Sequence, residues 1–136
     1  MIEQKIVDVI VRYHPNVQAI YLFGSFGTEY ETTDSDVDLA LLLPYSQGSN
    51  ENPLLRSDCW DELTRTTRRH VDLVDLRKTD TVFQNEIIRT GRTLLIKDEP
   101  ARAEFEMLTL SLYQKLQEER SGIVKRILKS KRVYNV

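Results

Sequence analysis

The chain has 136 residues and a mass of 15.9 kDa, which is the size of one domain around one hydrophobic core. We therefore expect a single domain over 1–136 and exclude a multidomain enzyme. Apolar residues make up 40% of the chain and charged residues 29%, a composition typical of globular proteins. The formal net charge of −2 leaves no global positive field for a nucleic acid backbone or an anionic membrane surface.

The cysteine content and the N-terminal sequence both favour a cytoplasmic protein. Cys59 is the single cysteine, so no internal disulfide can form, and no Cys/His cluster has zinc spacing. Carboxylates are therefore the plausible metal ligands. Residues 1–13 carry charges throughout and lack the apolar run of a signal peptide. No stretch approaches the roughly 20 apolar residues that cross a bilayer.

A mixed order of helices and strands is predicted over the first hundred residues. Apolar residues at helical spacing predict helices, and short apolar runs bounded by glycine or proline predict buried strands. The expected elements are a helix over 2–13, a strand over 17–23, a strand over 37–43, a surface loop over 46–53, a helix over 54–69, a strand over 71–76, a helix over 79–90 and a strand over 93–96. Gly91 is expected to end the third helix in a left-handed conformation. The predicted fold class is α/β (α+β), with a mixed four-stranded sheet packed against helices.

A long C-terminal helix is predicted beyond Pro100. Apolar residues continue at helical spacing to about residue 132, and a helix of about 30 residues would be some 45 Å long. A domain of this size cannot cover such a length, so one end is expected to project or to dock on another molecule. We therefore divide the chain into a core at about 1–98 and a helical extension at about 100–132.

The end of this extension is basic. No acidic residue follows Glu119, whereas six lysines and arginines do: Arg120, Lys125, Arg126, Lys129, Lys131 and Arg132. The tail is either a solvated helix end or a docking surface for an acidic face of a protein partner.

The densest acidic stretch of the chain ends on the second predicted strand, at Asp36 and Asp38. Side chains two apart point to the same side of a strand, so these carboxylates are expected side by side, while Val37 and Leu39 face the buried side. Neighbouring carboxylates repel each other unless a cation lies between them, and Mg²⁺ prefers such oxygen ligands together with substrate phosphates. The pattern favours a metal site for phosphoryl or nucleotidyl transfer over a solvated acidic strand end.

Gly24 and Ser25 directly follow the first predicted strand. At a turn from strand to helix, glycine lets backbone amides approach a phosphate, and serine adds a hydroxyl donor. Ten residues separate Ser25 from Asp36, Val37 and Asp38. This arrangement resembles the signature of the polymerase beta nucleotidyltransferase superfamily, in which a Gly-Ser turn is followed by ten residues and an Asp-x-Asp strand.

The resemblance also implies a third carboxylate on a following strand, for which Asp72 and Asp75 are the candidates. Three residues apart on one strand, they face opposite sides, so only one can complete the metal site. The position of Asp72 within the strand corresponds to the third acid of the superfamily. Asp75 is expected to form an exposed ion pair at the strand end, beside Arg77 and Lys78.

The short length, the lack of a substrate domain and the string Val-Asp-Leu-Val-Asp-Leu resemble the minimal nucleotidyltransferase (MNT) antitoxins of HEPN/MNT toxin–antitoxin modules. The resemblance covers about 17–96 and, less specifically, 112–120. It implies a type VII antitoxin that transfers AMP from ATP to a tyrosine of its HEPN ribonuclease toxin, with two Mg²⁺ ions, and so silences the toxin. No membrane or direct nucleic acid partner is expected. The residues it implies are Asp36, Asp38 and Asp72 as metal ligands and catalytic residues, with Gly24 and Ser25 as nucleotide contacts.

One position departs from the family pattern. Many minimal nucleotidyltransferases have a basic residue three positions after the serine and a glycine next to it, where this chain has Thr28 and Glu29. The departure leaves open a second hypothesis, an antitoxin that acts by stoichiometric binding with a vestigial nucleotide site. Transfer to a small molecule such as an aminoglycoside is a third, disfavoured by the missing substrate domain. Metal ions and four other cations could meet the phosphates instead, although a solvated helix face is the favoured interpretation for most of these cations: Arg65, Arg68, Arg69 and Lys78.

Overall fold

The computed structural model describes residues 1–45, 54 and 57–134, with side chains up to residue 130. The loop predicted over 46–53 lies outside the described residues. The elements are α1 Ile2–Tyr13, β1 Ala19–Phe23, β2 Val37–Leu42, α2 Asp58–Thr67, β3 Val71–Asp75, a short 3₁₀ helix Leu76–Lys78, α3 Thr81–Thr90, β4 Arg92–Ile96 and α4 Glu99–Tyr134. The predicted mixed four-stranded sheet with a long C-terminal helix is confirmed.

The sheet has the strand order β3-β2-β1-β4 and combines antiparallel and parallel pairs. β1 runs antiparallel to β2 and β4, whereas β2 and β3 are parallel, with Asp38 beside Asp72 in the ladder. Phe23, the last residue of β1, pairs with Asp38 as well. The end of β1 and the beginnings of β2 and β3 therefore meet at one end of the sheet.

Both faces of the sheet are buried. One face packs against α1 and α2 through residues that include Ile10, Leu39 and Leu63. The other packs against α3 and α4 through residues that include Tyr21 and Phe105. Burial on both sides explains why β2 is apolar at nearly every position and not only at alternate ones. Asp38 is half-buried and lies near the start of β2, whose following residues are buried beneath the helices.

Side-chain caps determine where α2 and α3 begin. Ser57 Oγ accepts a hydrogen bond from the Trp60 amide at 3.2 Å, and Asp80 accepts one from the Phe83 amide at 2.8 Å, so α3 starts two residues later than predicted. The predicted left-handed Gly91 is wrong, since its φ is −78°. A Cβ at Gly91 would lie 2.6 Å from the Ile87 carbonyl oxygen, so the position requires the small size of glycine.

α4 is continuous over 36 residues, which corresponds to about 54 Å. Its first turns are anchored: Phe105 and Thr109 are buried, and the Tyr21 hydroxyl donates to Glu106 at 2.9 Å. From Gln114 to Ser130 nearly every side chain is exposed, so this half of the helix projects from the domain. None of the described helices combines the length and the apolar character needed to cross a membrane.

Candidate active site

The structure brings Asp36, Asp38 and Asp72 to the same end of the sheet. Asp38 and Asp72 are partners in the parallel ladder, and Asp36 immediately precedes β2 instead of lying within it. Burial raises the pKa of Asp38, and the charges of Asp72 and then Asp36 raise it further. Charges that influence one another in this way lie close together. We call these three carboxylates, which the strand register places at the same end of the sheet, the acidic group.

This group is suited to a divalent cation that arrives with a nucleotide. A cation among the carboxylates would relieve the repulsion that raises the pKa of Asp38. Within the described ranges, no three His, Cys, Asp or Glu side chains form a ready-made metal cluster. Mg²⁺ often takes only one or two protein carboxylates and completes its coordination with substrate phosphates and water. The donor set fits Mg²⁺ under that condition.

Gly24 connects β1 to the acidic group. Its φ of +77° is in the left-handed region, and a Cβ at this position would collide with Oδ2 of Asp38. Backbone and carboxylate approach each other here more closely than any other residue type would allow. The first half of the signature is therefore in direct contact with the second half.

The chain turns directly after β1 and does not enter a helix. Residues 24–30 form bends and turns, with the Thr28 amide donating to the Ser25 carbonyl at 3.1 Å. Gly27, at φ +78°, takes the backbone out of the helical region. Among the described residues, neither the Ser25 nor the Phe26 backbone amide donates a hydrogen bond. A phosphate at this site would therefore meet free amides of a loop and not a helix N-terminus.

Ser25 is held by the far end of this loop. Its hydroxyl donates to Ser35 Oγ at 2.9 Å, and Ser35 is buried and accepts from the Thr32 amide at 2.8 Å. Thr28 Oγ also donates to the Ser25 carbonyl at 2.6 Å. Thr28, where many minimal nucleotidyltransferases have a basic residue, therefore has a structural role in this loop.

The cationic residues near the site differ in their surroundings. Arg65 and Arg68 are exposed, as predicted for a solvated helix face, and neither forms a hydrogen bond through its side chain in the described part of the chain. Arg69 instead donates to the carbonyls of Thr32 and Ser35, at the end of the loop that leads to Asp36.

His70, to which the sequence assigned no role, lies at the site. Its Nδ1 is 3.8 Å from Oδ2 of Asp36, and its carbonyl accepts a hydrogen bond from the Val37 amide at 2.9 Å. The register that pairs Val37 with Val71 brings the preceding residues of both strands together. This neighbour could have been found from the sequence only if the parallel pairing of β2 and β3 had been known.

Asp75 is not the exposed ion pair that the sequence predicts. Its side chain is buried at 7% exposure, forms no salt bridge with a described residue, and has one oxygen, Oδ1, without a hydrogen-bond partner. Burial raises the pKa of Asp75 despite the opposing charge of Lys78. The guanidinium of Arg77 points away to donate to Leu43 O at 2.6 Å and Gln18 Oε1 at 2.7 Å, which explains why the expected pair does not form.

Residues 4–100 match the family described as Polymerase beta, Nucleotidyltransferase. The chain belongs to this nucleotidyltransferase family. It is also 32% identical over 122 residues to the Protein adenylyltransferase MntA of Shewanella oneidensis, a match that covers 90% of this chain and 84% of the relative. The resemblance to minimal nucleotidyltransferases of toxin–antitoxin modules is thereby confirmed.

Two solved structures share the fold. A toxin–antitoxin structure with AMP-PNP matches with a TM-score of 0.74 and 31% identity, covering 93% of this chain and 98% of that chain. An MNT antitoxin in complex with the tri-AMPylated HEPN toxin of Shewanella oneidensis matches with a TM-score of 0.70 and 30% identity, covering 93% and 96% of the two chains. Because both matches cover 93% of this chain, most of α4 belongs to the shared fold.

Proposed function

We propose that this chain is the antitoxin of a type VII toxin–antitoxin module and a protein adenylyltransferase. It transfers AMP from ATP to a tyrosine of its HEPN ribonuclease toxin and so inactivates it. The observation that carries the proposal is the register that places Asp38 beside Asp72, with Gly24 against the Asp38 carboxylate. The named activity of the relative and the AMPylated toxin in the solved complex support it. The reaction belongs in the cytoplasm, where ATP is available.

In this proposal Asp36, Asp38 and Asp72 are the ligands of Mg²⁺, expected as two ions. Bound Mg²⁺ would neutralise the triphosphate and the charge that develops on the leaving pyrophosphate. Gly24 and Ser25 form the turn that binds the outer phosphates, because the backbone amides of Ser25 and Phe26 are free to donate hydrogen bonds to them.

The transfer itself forms one bond and breaks one. The tyrosine oxygen of the toxin attacks the α-phosphorus of ATP, and the bond from that phosphorus to the bridging oxygen breaks as pyrophosphate leaves. Asp72 accepts the hydroxyl proton, which a tyrosine with a pKa of about 10 does not release unaided at neutral pH. Positioning and charge neutralisation by these side chains provide most of the rate enhancement.

The toxin is proposed to bind the projecting half of α4. The chain would then consist of a catalytic core at about 1–98 and a toxin-binding extension at about 100–132. Leu116, Ile123 and Ile127 are apolar side chains that remain exposed on it, between basic residues. Both matched toxin–antitoxin structures extend over most of this helix. The double variant L116E/I123E should lose toxin binding, measured by calorimetry, and keep AMP-PNP binding. Unchanged toxin affinity would refute this surface.

A second candidate function is neutralisation by stoichiometric binding alone, favoured by Thr28 in place of a basic residue. The two candidates are separated by incubating the chain with ATP, Mg²⁺ and the toxin encoded beside it, followed by mass spectrometry of the intact toxin. Adenylyl transfer predicts added AMP groups with the wild type and none with D36N/D38N. An unmodified toxin that is nevertheless inhibited would favour binding alone.

A further inference from the structure

Arg69 contacts the loop over 24–36 at several points. It lies between α2 and β3, and its Nη1 donates to the Thr32 carbonyl at 3.0 Å and to the Ser35 carbonyl at 2.9 Å. A single guanidinium nitrogen thus fixes two carbonyls at the end of the loop. Ser35 is the residue that accepts the hydrogen bond from the Ser25 hydroxyl.

The same guanidinium reaches the beginning of the loop. It stacks over the ring of Phe26 at 5.0 Å, and Phe26 is only 7% exposed. Its Nη2 lies 3.9 Å from a carboxylate oxygen of Glu31, whose other oxygen accepts the Gly27 amide at 2.8 Å. Both ends of the loop are therefore tied to one side chain.

Arg69 also links this loop to the strand that carries Asp72. It is two residues from the start of β3, and the intervening His70 accepts the amide of Val37 at 2.9 Å. A planar guanidinium can stack on a ring and donate in its own plane at the same time, whereas a lysine ammonium cannot. The contacts therefore call specifically for arginine.

We propose that Arg69 is a positioning residue that holds the loop over 24–36 in the conformation that binds the triphosphate. It acts through the Ser35 hydroxyl on Ser25 and through the backbone ahead of Asp36. The inference rests on the proposed function and deepens it, because it identifies the residue that orders the nucleotide-binding loop in a chain with Thr28 at the position of the usual basic residue.

The test compares R69A and R69K with R65A, since Arg65 is an exposed arginine of α2 without a described side-chain hydrogen bond. AMP-PNP binding with Mg²⁺ is measured by calorimetry, and amide hydrogen exchange is followed over 24–36 and over α1. R69A should weaken AMP-PNP binding by about tenfold or more, as expected for lost hydrogen bonds from a charged donor. R69K should also bind weakly, and R65A should bind as the wild type does.

Two further readouts separate positioning from general stability. In R69K, exchange should become faster over 24–36 and stay unchanged over α1. Guanidinium chloride at low millimolar concentration should restore part of the AMP-PNP binding of R69A and leave R65A unaffected. Wild-type affinity in R69A, or faster exchange in α1 as well as in the loop, would overturn the inference. If the wild type itself fails to bind AMP-PNP, the proposed function falls and this inference falls with it.

Discussion

β3 carries two aspartates in opposite environments. Asp72, near its beginning, pairs with Asp38 at the end of the sheet where the loop over 24–36 lies, and it is partly exposed. Asp75, at its end, pairs with Leu41 on the opposite face and is buried with an unpartnered oxygen. The alternation of side chains along one five-residue strand thus places Asp72 on the side of Asp38 and buries Asp75 on the other side.

The two sides also tolerate their carboxylates for different reasons. Asp38 has a raised pKa because of burial and the charges of Asp72 and Asp36, a condition that a bound cation reverses. Asp75 has a raised pKa because of burial alone, and the nearby charge of Lys78 and the Arg77 backbone amide offset only part of that effect. Under the proposed function, the electrostatic strain at the first side serves cation binding, whereas the buried carboxylate at the second side is a cost to folding.

The largest difference between the two sides should appear in D38N compared with D75N. D38N removes a proposed metal ligand, and we expect AMP transfer to fall on the order of a thousandfold, as for the loss of a principal electrostatic contact in a transition state. D75N should transfer AMP at close to the wild-type rate. Transfer rates are measured by intact-mass analysis of the toxin, with thermal unfolding as a check that both variants fold.

If D75N loses as much transfer activity as D38N while both remain folded, the proposed difference between Asp38 and Asp75 is wrong. Asp75 would then act on the site through the strand, and the division of β3 into a chemical and a structural side would be wrong. A D38N protein as active as the wild type would remove Asp38 from the site altogether.

Gly24, which follows β1, and Gly91, which precedes β4, provide the next contrast. G24A places a Cβ against the Asp38 carboxylate at positive φ and should reduce AMP-PNP affinity by tenfold or more, with a stability loss of about 1–3 kcal/mol. G91A brings a Cβ within 2.6 Å of the Ile87 carbonyl oxygen and not against Asp38, so it should lower stability and spare affinity. Calorimetry and urea unfolding measure the two effects. Equal AMP-PNP affinity in both variants would contradict a direct role for Gly24.

The elements that the sequence predicts well depend on local patterns. Period-two alternation correctly separates Asp72 from Asp75, and apolar runs identify all four strands within two residues at each end. The assignment of Gly24, Ser25, Asp36, Asp38 and Asp72 as site residues came from the signature spacing and stays a prediction. What the structure adds is that these residues converge at one end of the sheet.

The features that the sequence missed depend on partners distant in the chain. The burial of Asp75 depends on the layer that covers β3 and on Arg77 donating elsewhere, neither of which is visible in the strand itself. His70 lies beside Asp36 only because β2 and β3 are parallel neighbours. At Gly91 local preference favoured a left-handed cap, but crowding by a carbonyl determines the residue. Tertiary context overrides local preference at each of these positions.

The pH dependence of stability should reveal the structural side of β3. Since the pKa of Asp75 is raised in the folded state above its ordinary value of about 3.9, the folded protein binds more protons than the unfolded one between those two values. Its contribution is therefore fully present below about pH 3.9 and is lost as the pH rises through the folded pKa. D75N should remove this decline.

The measurement is the urea midpoint of the wild type and of D75N from about pH 4 to about pH 7. Asp38 also has a raised pKa, but it is present in both proteins, so the difference between the two profiles isolates Asp75. We expect the D75N midpoint to fall less than that of the wild type over this range. Parallel profiles would mean that Asp75 titrates at its ordinary pKa.

Loss of a buried polar group that has a hydrogen-bond partner should lower the free energy of unfolding by less than the changes above, and Tyr21 is such a group. It lies on the face of the sheet that α3 and α4 cover, and its hydroxyl donates to Glu106, which also pairs with Arg102 at 2.7 Å. Burial and this hydrogen bond raise the pKa of Tyr21, so the hydroxyl stays protonated and the bond persists throughout the neutral range. Y21F should lower the free energy of urea unfolding by about 1 kcal/mol.

Y13F is the matched control, since Tyr13 is exposed and its hydroxyl donates to Glu62 at 3.3 Å. It should lower the free energy of unfolding by less, because water replaces that bond. Equal losses of unfolding free energy in Y21F and Y13F would mean that the first turns of α4 are held by apolar contacts alone.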